Sequence, residues 1–121
     1  MTGKAYPRLR LRIVFDDQAM LGPGKADLLE LIRKTGSISA AGRAMGMSYK
    51  RAWTLVETMN ALFRSPLVTS SRGGSAGGGA ALTPDGERVL DLYRRLEARL
   101  AADGQDDVAA LAGLLKDSPK G

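Results

Sequence analysis

Within seven residues the chain places two hydroxyls, a phenol and two cations: Ser48, Tyr49, Lys50, Arg51 and Thr54. Hydroxyls and phenols hydrogen-bond phosphate oxygens, while Lys and Arg neutralise phosphate and can also reach guanine edges. That chemistry is recognition of a polyanion, not bond making. The rest of the composition agrees. There is no histidine and no cysteine, so the commonest general base, thiolate nucleophiles, disulfides and the usual zinc ligands are all excluded. The acid pairs Asp16-Asp17 and Asp106-Asp107 fall in expected turns or helix caps, and no nucleophile is spaced to meet a base. We therefore expect no catalytic residue, no metal ligand and no cofactor.

A second feature suited to an anion follows Arg72. Residues 73–79 read Gly-Gly-Ser-Ala-Gly-Gly-Gly. A nucleotide cradle would close on Gly-Lys-Ser/Thr and open directly into a helix. Here that ending is missing and the run leads toward a short strand. The alternatives are a plain surface loop and a hairpin tip whose glycines let backbone N–H groups approach a phosphate.

The elements that must carry these residues can be read around them. Arg8 to Phe15 alternates, with Leu9, Leu11, Ile13 and Phe15 on one side and Arg8, Arg10 and Arg12 on the other, which predicts a half-buried strand. Its arginines suit the solvent face of an edge strand. After Gly22-Pro23-Gly24, Leu28, Leu29 and Ile32 mark a helix over 25–35, closed by Gly36. Ser37 caps a second, small-residue helix to Met45, and Ser48 caps a third over 48–64 with Ala52, Leu55, Val56, Met59, Leu62 and Phe63 turned to a core. Between those two helices, Gly42 allows a close crossing, Gly46 supplies a turn residue that tolerates positive φ, and Met45, Met47, Ala52 and Leu55 fill the angle. This is a helix-turn-helix. Its second helix would enter a major groove by its N-terminal end. Leu67–Ser71 and Ala80–Thr83 predict a hairpin, and Thr83-Pro84-Asp85 starts a helix from Pro84 to Ala101. Residues 105–116, with Val108, Leu111, Leu114 and Leu115, form a last short amphipathic helix.

The expected fold is mainly α with small β: a winged helix-turn-helix with an N-terminal strand, a wing hairpin and a C-terminal dimerisation helix. Residues 1–83 make the DNA-binding part and 84–121 the dimerisation helix and tail, as one structural unit. At 121 residues and a net charge of +5, the chain has room for one modest core. The charge is uneven: residues 1–83 hold 12 Lys+Arg against 5 Asp+Glu, net +7, and residues 84–121 hold 6 against 8, net −2. A basic body with a mildly acidic tail fits double-stranded DNA as the body's partner. No run is long and apolar enough for a membrane span, and Met1 to Pro7 lacks a signal-peptide core, so a cytoplasmic protein without a membrane partner is expected.

Ser48-Tyr49-Lys50, Ala52-Trp53, Met59-Asn60, Gly73-Gly74, Gly77-Gly78-Gly79-Ala80 and Leu82-Thr83 together resemble the DNA-binding domain of the ModE family, regulators of molybdate uptake and molybdenum enzymes. The likeness runs from about Leu9 to Leu100. It implies a winged helix with a LysR-type helix-turn-helix, a homodimer and a palindromic operator. The chain departs from the family in two respects. Ser75 and Ala76 stand where a basic wing residue would grip phosphate. Only about twenty residues follow the long helix, too few for the family's Mop-type molybdate-binding domains, so a stand-alone form is expected, its signal held by a separate effector-sensing protein or absent.

The candidate DNA-binding residues are Ser37, Ser48, Tyr49, Lys50, Arg51, Thr54, Arg72, Gly73, Gly74 and Gly77. The candidate dimerisation stripe is Val89, Tyr93, Leu96 and Leu100, with Arg94, Arg95 and Arg99 against Asp91 and Glu97 setting register. Trp53 is expected to pack more than to stack on DNA. A DNA-binding architectural protein without operator preference would use the same residues, and an interaction module acting through its last long helix is a third reading.

Overall fold

A computed structural model describes residues 6–71 and 79–116. The element order is β1 (Ile13–Val14), β2 (Met20–Leu21), α1 (Pro23–Thr35), α2 (Ile38–Ala44), α3 (Tyr49–Leu62), β3 (Val68–Ser71), β4 (Gly79–Leu82), α4 (Pro84–Asp103) and α5 (Gln105–Gly113). The winged helix-turn-helix order expected from the sequence is the order observed.

Local signals account for most boundaries. Pro23 occupies the first turn of α1, and Gly36 ends it at φ 70° with its N–H on the Ile32 carbonyl. Ser37, Ser48 and Thr83 each accept a backbone N–H three residues on, from Ala40, Arg51 and Gly86. These caps satisfy donors that a helix start otherwise leaves orphaned. The Thr83 hydroxyl also donates to the Pro66 carbonyl, at 2.7 Å, so the cap of α4 is tied to the chain ahead of β3.

The core draws on every helix but α5. Leu28, Leu29 and Ile32 of α1, Ile38 and Ala41 of α2, Ala52, Val56 and Met59 of α3, Leu67 and Val68 at the start of the hairpin, and Leu90 and Tyr93 of α4 are buried together. α4 lies against the loop before β3 so closely that a Cβ on Gly86 would overlap the Leu67 carbonyl. No described residue of α5 is buried.

The N-terminal strand is a correction. Only Ile13 and Val14 pair, antiparallel with Leu21 and Met20, and Leu9 and Phe15 are 40% and 54% exposed. The reason is the partner's length. Asp16 accepts the N–H groups of Gln18 and Ala19 through its side chain, a tight turn that brings back only the two residues of β2 before Gly22 and Pro23 start α1. Ahead of β1, the backbone is held instead by α4, where the Tyr93 hydroxyl donates to the Leu11 carbonyl.

β3 and β4 pair antiparallel from Val68 opposite Leu82 to Ser71 opposite Gly79. β4 also reaches the α1–α2 corner, because the Ala80 N–H donates to the Gly36 carbonyl at 2.9 Å. The hairpin is thus fastened to the helical unit along one edge.

Candidate nucleic-acid interface

The angle between α2 and α3 rests on two glycines. Gly42 is buried where the helices cross, and Gly46 takes φ 73° in the turn. The Met47 N–H returns to the Gly42 carbonyl at 3.0 Å, which tightens the corner. Met45, Met47 and Leu55 pack against the core around it. The helix-turn-helix expected from the small residues is therefore built as their spacing requires.

α3 presents one face to the core and the other outward. Ala52, Val56 and Met59 are buried, while Ser48, Tyr49, Lys50, Arg51, Thr54, Glu57 and Thr58 are exposed. Tyr49 is 58% exposed. The Ser48 hydroxyl is engaged as an acceptor by the cap but keeps its own hydrogen free to donate. The Thr54 hydroxyl donates to the Lys50 carbonyl at 2.9 Å, which leaves its oxygen lone pairs available. Lys50 and Arg51 are long, exposed and, among the described residues, bridged to no carboxylate. Arg33, Lys34, Arg64 and Arg94, by contrast, each meet an acid. The basic charge on α3 is thus not neutralised within the described fold, and it sits at the positive end of the helix dipole, where an anion is favoured.

The expected site residues fall into three groups. Ser48, Tyr49, Lys50, Arg51 and Thr54 lie together on the exposed first turns of α3. Ser37 stands apart at the start of α2, half-buried and committed to its cap. Arg72, Gly73, Gly74 and Gly77 lie outside the described residues, as do Ser75 and Ala76.

Trp53 is half-buried and packs against the core, with its ring edge-on to Tyr49 at 6.1 Å between centroids. Its indole N–H is buried with no acceptor among the described residues.

The α4 stripe requires correction. Tyr93 is 1% exposed and belongs to the chain's own core, and Val89 packs against that core. Helix rotation explains this: α4 must give its Leu90–Tyr93 face to α1, which leaves Leu92, Leu96 and Leu100 outward, each about 42% exposed. Arg94 and Glu97 are likewise turned inward. Arg94 donates from Nη1 to Glu97, from Nε to Glu30 and from Nη2 to Asp27, each at 2.9 Å. Burial alone would weaken the guanidinium's hold on its proton, but the hydrogen bonds to Glu97, Asp27 and Glu30 outweigh it and raise it above the ordinary arginine value.

One residue the motif reading assigned no role is Asn60. Its carboxamide oxygen accepts the N–H groups of Leu67 and Val68, at 2.8 and 3.1 Å, and its Nδ2 donates to the Val68 carbonyl. It fastens the base of the hairpin to the last turn of α3. An asparagine near a helix end and seven residues ahead of a strand was the available signal.

Residues 25–87 match the model of the bacterial regulatory helix-turn-helix proteins of the lysR family. Over 83 residues the chain is 51% identical to the molybdenum-pterin-binding protein MopB of Rhodobacter capsulatus, covering 69% of this chain and 31% of that protein. It is 41% identical to the molybdenum transport protein ModE of Azotobacter vinelandii, over 73% of this chain and 33% of the relative. It is 39% identical to the DNA-binding transcriptional dual regulator ModE of Escherichia coli K12, over 69% and 32%. The chain thus spans about a third of the length of the curated relatives it matches. Among solved structures it resembles VV2_1132, a LysR family transcriptional regulator, with a TM-score of 0.57 at 15% identity, over 75% of this chain and 29% of that one. Full-length CbnR complexed with its target DNA gives 0.55 at 20% identity, over 74% and 29%. These two likenesses establish the winged-helix fold.

Proposed function

The chain belongs to the bacterial regulatory helix-turn-helix proteins of the lysR family, and from that premise we propose that it is a DNA-binding transcriptional regulator of the ModE type. The observation that carries the proposal is the first turns of α3: Lys50 and Arg51, exposed and unneutralised by any described carboxylate, at the leading end of a helix set at an angle by Gly42 and Gly46. In this reading Lys50 and Arg51 contact phosphate or guanine, Tyr49, Ser48 and Thr54 fix the helix against the backbone, and Arg72 with Gly73, Gly74 and Gly77 grips a second stretch of phosphate from the hairpin. The reading is of a binding protein acting in the cytoplasm, not of a catalyst. No helix among the described residues is long and apolar enough to cross a membrane.

The active form is a homodimer on a palindromic operator. Leu92, Leu96 and Leu100 support it, because they form an apolar edge on α4 that the described fold leaves uncovered. The names of the relatives point to molybdenum as the subject of the regulation.

Selection of bound DNA from a random pool, with and without molybdate, tests the whole. A two-fold symmetric consensus that Lys50→Ala or Arg51→Ala weakens is expected. Equal binding to selected and random DNA would favour the architectural alternative, and sedimentation as a 12.8 kDa species at micromolar concentration would remove the dimer.

A further inference from the structure

α1 and α4 run antiparallel and are joined by a ladder of charges. At one end Arg94 of α4 meets Asp27 and Glu30 of α1, with Nη2 at 2.9 Å from Asp27 and 2.7 Å from Glu30. Two turns away Arg33 of α1 meets Glu87 of α4 at 2.9 Å and Asp91 at 4.0 Å. The two ends have opposite polarity, with the cation on α4 at one and on α1 at the other. Sliding α4 by a turn in one direction would bring Arg94 toward Arg33, and in the other direction Glu87 toward Glu30. The ladder therefore specifies one register rather than merely attracting.

Its Arg94 end is the stronger. The guanidinium spends its Nε, Nη1 and Nη2 donors on three carboxylates, in the fixed fork geometry that an ammonium cannot copy. Its side chain is 31% exposed, and Glu30 and Glu97 are 30% and 26% exposed, so solvent screens it less than the Arg33 end, where Arg33 and Glu87 are 40% and 45% exposed. Arg10 adds a second cation to Asp27 at 3.8 Å. α1 is the helix on which α2 and α3 are mounted, through the core and through Gly36.

We propose that Arg94, held by Asp27 and Glu30, is a positioning residue that fixes the distance between the two recognition helices of the dimer, and with it the spacing of half-sites the protein accepts. The inference rests on the dimer proposed above. If α4 pairs with its copy, each helix-turn-helix is held to the dimer axis through the packing of its core on α4, and the charge ladder sets the register of that packing. A loosened register leaves each α3 able to read its half-site but no longer sets how far apart the two lie.

The chain has no cysteine, so a spin label on Ala61→Cys, at the exposed end of α3, reports the separation of the recognition helices directly. Wild type is expected to give one narrow distance and a single selected half-site spacing. Arg94→Met, and independently Asp27→Asn with Glu30→Gln, are expected to broaden the distance and to accept several spacings, with the half-site sequence unchanged. An unchanged distance in a folded variant overturns the inference, as does a broadened distance with unchanged spacing. A wild-type protein that selects no paired half-sites, or shows no intermolecular distance, overturns the dimeric regulator itself and the inference with it. The wild-type control thus separates the two failures.

Discussion

A Cβ placed on Gly42 would stand 2.8 Å from the Cβ of Ala52. Neither backbone can yield without opening the α2–α3 angle, since Ala52 is fully buried and has no flexible end to swing aside. Gly42→Ala is expected to destabilise the fold by about 1–3 kcal/mol, as overpacking of a dense core does. Thermal or urea unfolding measures this, and a neutral substitution would show that the crossing has slack.

Asn60→Ala should strike the hairpin. It leaves the buried N–H groups of Leu67 and Val68 without their acceptor, at a cost of about 1–3 kcal/mol for each such group left unsatisfied. Faster hydrogen exchange at those two amides is expected. Asn60→Asp keeps the acceptor and gives up only the donation to the Val68 carbonyl, so its loss should be smaller.

At the proposed DNA face the expected signature is electrostatic. Lys50→Ala and Arg51→Ala remove exposed side chains and should leave the unfolding midpoint nearly unchanged. For each that contacts a phosphate, the slope of log K against log salt should become shallower by roughly 0.9. If either reads a base instead, the slope stays and discrimination falls by about 1–3 kcal/mol. Titrations at several salt concentrations separate the two outcomes, and variants unchanged in both would place the interface elsewhere.

Tyr93 predicts an alkaline dependence of stability. Burial pushes its phenol above the ordinary tyrosine value of 10.0, Glu97 and Asp27 push the same way, and Arg94 and Arg10 oppose them. The native state therefore favours the neutral phenol, which donates to the Leu11 carbonyl. That contribution is complete below the unfolded value near 10 and is lost as pH rises through the raised native value. Tyr93→Phe should cost about 0.5–1.5 kcal/mol at neutral pH, and the gap to wild type should narrow above pH 10. Urea unfolding at increasing pH checks both.

The helix-turn-helix was legible because its determinants are local. Gly42 and Gly46, and the caps Ser37 and Ser48, act within a few residues of themselves. The wing strands were legible for the same reason, each matched to within a residue at either end. What was not legible depends on distant partners. The alternation from Leu9 to Phe15 reads as a strand, yet only Ile13 and Val14 find one, because the Asp16 turn returns too little chain. Tyr93 sits on the same stripe as Leu96, and only the placement of α1 decides that one turns inward while the other stays exposed. Arg94 reads as an interface charge until Asp27 and Glu30, more than sixty residues earlier, are seen beside it.

Trp53 is the chain's single tryptophan, and it lies on α3 one turn beyond Tyr49, with the two rings in a T-shaped contact. All tryptophan emission from the protein therefore originates on the helix proposed to read DNA. Its colour and intensity offer a label-free optical record of binding, which distant motions of α5 would scarcely disturb.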